Sequence, residues 1–402
     1  PGRSHGRFCP MGEKHNRVEN DRFGARCPHL RSVGLPSGHG HTRSDGNGRG
    51  GPRAFDHSDR RNGRSEDGAE ILRLVSSGEV EYASVDDLGR SVAKEGYIEY
   101  HIEQILGLSL VKADLVRAKQ YRVVVDCVNS TGAISIVPLL QKLGCEVIVL
   151  HGDLSGRFAH NPEPLPEHLS ELSRAVVFHK AHIGVAVDPD VDRLALVCED
   201  GEMFGEEYTL VAVADYVLRQ HKGNTVSNLS SSVALRKVTE SHGCGYSAAA
   251  VGEVNVVVEM KRTDAVIGGE GNGGIILPEL HYGRDALVGL AIFLSHLAEL
   301  GNPVSVLRRQ YPNFFISKNK ITLPENLDPG QIIGKIKEKY ARQPQNTVDG
   351  LKLFFDGDDW IHLRQSNTEP IIRIYAESTS AVTAENLAEK IKRDISEIIR
   401  GN

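Results

Sequence analysis

Asp188-Pro189-Asp190-Val191-Asp192-Arg193 lies between two apolar runs, residues 184–187 and 194–197, that read as strands. Three carboxylates at alternate positions on an extended backbone share one side of it and point into a common space. At about 7 Å and an effective dielectric of about 20, each adjacent pair repels by roughly 2 kcal/mol. A hard cation is the natural compensation. Oxygen-only donors in a short turn, with no His or Cys nearby in sequence, favour Mg²⁺ over zinc or copper. Arg193 adds a permanent positive charge beside Asp188, Asp190 and Asp192. A solvated acidic turn is the plain alternative, set against the apolar flanks. An EF-hand is another, because Asp188, Asp190, Asp192 and Glu199 occupy loop positions 1, 3, 5 and 12. That match fails at position 6, which must be Gly and is Arg193, and on flanks that are strands instead of helices.

The 402 residues suffice for two to four domains. Six Cys (9, 27, 127, 145, 198 and 244) show no C-x-x-C pair and read as reduced thiols. No apolar run approaches the roughly 18 residues of a membrane span, and no secretion signal opens the chain. A soluble cytoplasmic protein with no membrane partner is expected.

The net charge of −6 hides an asymmetry: residues 1–66 hold 12 Arg, one Lys and 7 Asp or Glu, a balance of +6, which leaves −12 on the other 336. With 12 Gly, two Val, two Leu and no Ile, residues 1–66 cannot bury enough surface to offset their ordering entropy. A basic arm for nucleic acid and a tail without specific role are two readings. We favour a third, in which this Arg, Gly, His and Pro-rich stretch, ending abruptly against a normal domain, reads like a GC-rich gene translated out of frame. Nucleic-acid binding then has only composition behind it.

From Asp67 the pattern is globular. Ile98, Ile102, Ile105 and Leu106 predict a connecting helix that runs to about Gln120. A strand (122–126), polar turn, helix (133–143) with Gly144 as its stop, and second strand (146–150) form a βαβ unit. A similar unit recurs at 225–244, where Gly243-Cys244 parallels Gly144-Cys145. Two tandem domains of one topology follow. The second leads to Gly268-Gly269-Glu270-Gly271-Asn272-Gly273-Gly274, whose G-x-G-x-x-G spacing is not a dinucleotide site because Ile275-Ile276-Leu277-Pro278 follows in place of a helix. Clustered glycines let a ligand approach the backbone, and Glu270 beside Asn272 suits sugar hydroxyls; a flexible turn is the plain reading. Arg284-Asp285 then opens an apolar helix to about Leu300.

In the last hundred residues Asp356-Gly357 marks a hairpin. Arg364-Gln365-Ser366-Asn367-Thr368-Glu369-Pro370 precedes a strand that carries Arg373. Two Arg with hydroxyls and backbone N–H groups between them can hold a phosphate; an ordinary polar loop is the alternative. Leu387, Ile391, Ile395 and Ile398 give a closing amphipathic helix.

Together the metal loop, the Gly-Glu loop and the Arg-Ser-Asn-Thr loop, in this order and roughly 80 to 95 residues apart, resemble those of the α-D-phosphohexomutases over about residues 67–402. The resemblance implies an α/β fold: tandem α/β domains of similar topology with mixed sheets, then a smaller C-terminal α+β domain. Boundaries are expected at a basic segment 1–66, a remnant of a first α/β domain 67–112, a metal-loop domain 113–204, a sugar-binding domain 205–307 and a phosphate-binding domain 308–402. It implies reversible transfer of phosphate between O6 and O1 of a hexose through a phosphoserine and a bisphosphate. By carry-over Asp188, Asp190 and Asp192 hold Mg²⁺ and Arg193 assists. Glu270, Asn272 and Gly273 hold the sugar, and Arg364, Ser366, Asn367, Thr368 and Arg373 hold the phosphate that is not reacting. His281 is the candidate acid or base. The form of the loops is similar to phosphoglucosamine mutases first and to phosphomannomutases and phosphoglucomutases next, so glucosamine, mannose or glucose phosphate is the expected partner. One departure is large: the family's serine loop Thr-Ala-Ser-His-Asn-Pro has no match, and the nearest fragment, His57-Ser58-Asp59, lacks its neighbours. No phosphoserine is assigned, and a phosphosugar-binding relative without activity stays open.

Overall fold

A computed structural model describes residues 65–402, apart from 79–81, 90, 92, 325–326, 367–368 and 401–402. The basic segment up to residue 64, including His57-Ser58-Asp59, lies outside the described residues, as do Asn367 and Thr368. The chain divides into two compact units, Pro1–Glu95 and Gly96–Asn402. In the first, helix α1 (Ser65–Ser77) carries an ion pair between Glu70 and Arg73, and a 3₁₀ turn follows at Val85–Asp87.

The second unit opens with α2 (Tyr97–Leu106) and α3 (Ala113–Lys119). The single connecting helix expected to Gln120 is therefore two. Gly107 caps α2, and the chain turns before α3 begins. Buried Ile102 and Ile105 still keep the helical spacing that announced α2.

Next come β1 (Arg122–Asp126), α4 (Gly132–Lys142), β2 (Glu146–Leu150), α5 (Ser170–Phe178), β3 (Ile183–Val187) and β4 (Leu194–Cys198). Their sheet has the order β2-β1-β3-β4, with β1 parallel to both neighbours and β4 antiparallel to β3. After α6 (Glu206–Gln220), the sequence β5 (Asn224–Asn228), α7 (Val233–Ser241), β6 (Tyr246–Ala249), α8 (Glu253–Thr263), β7 (Ala265–Glu270) and β8 (Gly274–Ile276) repeats the plan. The order is β6-β5-β7-β8, again with a parallel centre and an antiparallel last strand. The tandem domains of one topology are present.

Helix α9 (Ala286–Leu300) is apolar all round through its first nine residues and is buried from Ala286 through Ala298, with Ser295 and His296 as its buried polar groups. One continuous core joins its Leu290, Phe293 and Leu294 to Val123, Val125, Ile183 and Val185 of the first sheet and Ile267 and Ile275 of the second. Phe293 meets Phe204 edge-on at 5.2 Å, a geometry worth about 1 kcal/mol beyond area burial.

After α10 (Val304–Arg308), the last part is a five-stranded antiparallel sheet. Its strands are β9 (Phe315–Thr322), β10 (Gln345–Asn346), β11 (Leu351–Phe354), β12 (Trp360–Gln365) and β13 (Ile371–Ser378), in the order β10-β11-β12-β13-β9. Helices α11 (Pro329–Lys339) and α12 (Ala381–Arg400) supply Ile332, Ile336, Ile391 and Ile395 to a separate core with Leu351, Leu353, Ile361 and Leu363. Gly357, at φ 73, makes the expected turn between β11 and β12.

Candidate functional site

The metal loop is the tip of the β3–β4 hairpin, whose last pair is Val187↔Leu194. The Gly-Glu loop is the tip of the equivalent β7–β8 hairpin, whose last pair is Glu270↔Gly274. One plan used twice thus supplies two loops at corresponding places. The tips are joined: Leu194 donates its N–H to the Gly273 carbonyl at 3.1 Å. Gly273 has φ 85, and a Cβ there would lie 2.3 Å from the Leu194 carbonyl oxygen. Only glycine allows this approach.

The three aspartates do converge, with one oxygen from each lying within 4.8 Å of the others. The reason differs from strand alternation. Val191 donates to the Asp188 carbonyl at 3.1 Å and takes φ 60, so the loop is a tight turn instead of extended backbone. A β-branched residue in the left-handed region is strained, and it is held by burial and by the Ala286 N–H donating to its carbonyl at 3.1 Å. Asp188 Oδ1 accepts the N–H groups of Asp192 and Arg193, both at 3.0 Å. Burial, with the nearby charges of Asp192 and Asp190, pushes the Asp188 carboxyl up to about 7. Asp192 Oδ1 is buried without a hydrogen-bond partner. A buried carboxylate oxygen with no hydrogen bond, faced only by Arg193 Nε at 3.7 Å and set beside two more carboxylates, fits a divalent cation and an all-oxygen donor set. Arg193 Nε lies 3.3 Å from Asp188 and 3.7 Å from Asp192, and its Nη1 reaches Glu163 at 3.4 Å.

Glu270 is turned inward. Its Oε1 accepts from Asn228 Nδ2 at 2.9 Å and from the Gly252 N–H at 3.2 Å, while Oε2 pairs with Arg284 Nη1 at 2.7 Å. A carboxylate has about four acceptor positions, so one remains for a ligand hydroxyl. Asn272 Oδ1 accepts the Gly274 N–H at 3.2 Å.

Arg284 is the residue that sequence reasoning passed over, taking it only as a helix opener. It pairs with Asp192, Glu270 and Glu253, and so ties the metal loop to the Gly-Glu loop. Asp285 caps α9 by accepting the Leu287 N–H at 2.8 Å and the Val288 N–H at 3.2 Å, which fixes Arg284 in place. Asp285 Oδ2 also meets His101 Nε2 at 2.7 Å and His281 Nε2 at 3.0 Å. The hydrogen bond that His101 gives to Asp285, opposed in part by burial, raises His101 above its ordinary value. His281 Nδ1 accepts the Gly283 N–H at 2.9 Å, so Nε2 carries its proton. His281 and His101 line a 360 Å³ cavity together with Asp190, Thr131 and Arg284.

Arg364 on β12 stands opposite Arg373 on β13, and Arg373 stands opposite Lys320 on β9. Three cations in a row across adjacent strands repel; Asp349 offsets Arg364, and an anion beside Arg373 would relieve the rest. Arg364 Nε is 2.7 Å from Asp349 Oδ2, which also accepts the Val251 N–H at 2.9 Å. The next amide, Gly252, donates to Glu270. Two consecutive N–H groups therefore link the C-terminal arginine to the Gly-Glu loop. Ser366 lies beyond the end of β12, its N–H donating to the Ile371 carbonyl at 3.0 Å.

Models of phosphoglucomutase/phosphomannomutase α/β/α domain II, α/β/α domain III and C-terminal domain match residues 95–201, 205–314 and 324–393. A protein of Methanopyrus kandleri named "Probable phosphoglucosamine mutase" is 32% identical over 332 residues, 82% of this chain and 71% of that protein. A "Phosphoglucomutase/phosphomannomutase" of Thermococcus kodakarensis is 31% identical over 84% of this chain and 74% of its own length. A solved phosphoglucomutase/phosphomannomutase family protein from Burkholderia thailandensis shares the fold, with a TM-score of 0.70 at 24% identity over 82% of this chain and 69% of its own.

Proposed function

This chain belongs to the phosphoglucomutase/phosphomannomutase family, the α-D-phosphohexomutases, and on that premise we propose that it interconverts hexose 6-phosphate and hexose 1-phosphate through a bisphosphate, with glucosamine phosphate as substrate. The observation that supports this most is the joining of the two hairpin tips through Leu194, Gly273 and Arg284. It brings carboxylates suited to a cation next to a carboxylate and an amide suited to hydroxyls.

In this reading Asp188, Asp190 and Asp192 hold Mg²⁺, and a bound ion supplies positive charge against the oxygens of the phosphoryl group in transfer. Arg193 contributes a fixed charge at the same place. Glu270, Asn272 and the Gly273 backbone take the sugar hydroxyls. Arg364, Ser366, Asn367, Thr368 and Arg373 take the phosphate at rest, with Lys320 added by its place in the cation row. His281, whose Nε2 meets Asp285 Oδ2 at 3.0 Å, is the candidate acid or base. A sugar held by its hydroxyls and its distal phosphate can turn end for end, which the exchange of O1 and O6 requires.

The donor serine is not present as Thr-Ala-Ser-His-Asn-Pro within the 402 residues. That fact favours a second reading, a phosphosugar-binding protein without turnover. Calorimetry with Mg²⁺ tests what the two readings share. Saturable heat from glucosamine 6-phosphate, larger than from the mannose or glucose ester, is expected, and no heat from any hexose phosphate sinks both. Turnover separates them. Protein carrying the serine loop, primed with a hexose bisphosphate, forms glucosamine 1-phosphate only under the first.

A further inference from the structure

Outside this site, at the C-terminal ends of the parallel strands β1 and β2 of the first sheet, three side chains meet that the mutase reading does not use. Asp126 ends β1, His151 follows β2, and His160 comes from the loop beyond. The Asp126 side chain is 1% exposed and the two imidazoles 19% and 20%. Asp126 Oδ1 is 3.1 Å from His151 Nδ1, and Oδ2 is 2.9 Å from His160 Nε2. One donor atom from each of the three lies within 4.8 Å of the others.

The tautomer of His160 decides what the cluster can do. Its Nδ1 is 2.7 Å from the Asn161 carbonyl oxygen, which only accepts, so Nδ1 carries a proton. Nε2 is then the ring atom turned to the buried carboxylate, and the positive centre that this contact calls for is either a second ring proton or a metal ion. Imidazole ligands of metals show this same support, with the distal N–H given to a carbonyl. His151, binding through Nδ1, would turn its Nε2 toward Glu171 Oε2 at 3.6 Å, a second such partner. The backbone is also forced here: Val128, whose N–H donates to Asp126 Oδ1 at 3.0 Å, has φ 46, and His151 has φ 48. Strain of this kind gathers at ligand clamps.

The pair His101 and His281 around Asp285 has the same composition and the opposite logic. His281 Nδ1 accepts a backbone N–H, so its Nε2 is protonated and closed to a metal. Composition alone does not separate the two clusters; the tautomers do.

We propose that Asp126, His151 and His160 bind a divalent transition-metal ion of the zinc class, separate from the magnesium loop. Two imidazoles and one carboxylate suit zinc and exclude Mg²⁺ as the preferred ion. With metal bonds of about 2.0–2.2 Å, tetrahedral donors stand roughly 3.3 Å apart, so the two contacts of Asp126 with the histidines, each made to a different carboxylate oxygen, need to open by only a few tenths of an ångström. Three protein donors leave a fourth position for water. The ion pins the loop after β2 to the end of β1. From there Ser130, at the start of the next helix, donates its hydroxyl to the Pro189 carbonyl at 3.0 Å in the magnesium loop.

The test loads the full chain with Zn²⁺ in excess Mg²⁺, dialyses it and measures the retained metal and its X-ray absorption fine structure. One tightly held zinc per chain with two imidazole nitrogens in its shell is expected. His160→Gln and His151→Gln should each weaken zinc binding by roughly 100-fold or more, beyond what losing a supporting partner costs. His281→Gln should leave it unchanged. No retained zinc, an all-oxygen shell, or zinc lost from His281→Gln and kept by His160→Gln overturns the proposal. The absorption spectrum of the unsubstituted chain decides by itself if a variant fails to fold.

Discussion

Arg284 shows how one side chain can organise a site. Its guanidinium satisfies Asp192, Glu270 and Glu253 at once, and no other cation takes its place between the two hairpin tips among the described residues. Removing one partner of a largely buried ion cluster leaves uncompensated charge, which costs about 3 kcal/mol. Arg284→Met is thus expected to lower the urea-unfolding free energy by about that amount; a loss below about 1 kcal/mol contradicts the role. His101 gives a pH signature. Its folded pKa is raised by the hydrogen bond with Asp285, so the stability it adds is complete below the unfolded value of 6.5 and fades as pH rises through the folded value. Urea midpoints should fall as pH increases through that window, and His101→Gln should flatten the slope. At this scale the sequence was legible where chemistry is written in consecutive letters, as in Asp188-Pro189-Asp190-Val191-Asp192. Asn228, Glu253, Arg284 and Asp349 reach the site from separate elements, and no local pattern marks them.

Elements were more legible than residues because punctuation defines them. Gly144, with φ 72 just after α4, and the Asp356-Gly357 turn mark ends that periodicity alone leaves open. The break after α2 escaped because the apolar spacing continues past Gly107 into Leu108 and Leu110. Strand pairing carries a prediction of its own. With Arg373 opposite both Arg364 and Lys320, Arg373→Met should stabilise the anion-free protein by up to about 1 kcal/mol. Inorganic phosphate is expected to raise the melting temperature of the unsubstituted chain, and Arg373→Met should remove that rise. Equal phosphate shifts in both proteins contradict an anion site on this row.

For the whole second unit, the repeated order β2-β1-β3-β4 and β6-β5-β7-β8 was faintly visible in the parallel of Gly144-Cys145 and Gly243-Cys244. What the letters do not carry is how the two sheets share α9 and how the C-terminal sheet meets the second of them. Those contacts, such as Asp349 with the Val251 amide, lie 98 residues apart and follow from packing alone. In the proposed function the cation loop and the arginine row serve opposite ends of one bound sugar bisphosphate. Phosphorus NMR of hexose 1,6-bisphosphate bound to the Mn²⁺-loaded protein measures this directly, since a paramagnetic ion relaxes nearby nuclei most. Two bound phosphorus signals with clearly unequal relaxation, equalised by Asp190→Asn, are predicted. Equal relaxation of both phosphorus nuclei, or none from Mn²⁺, contradicts the account.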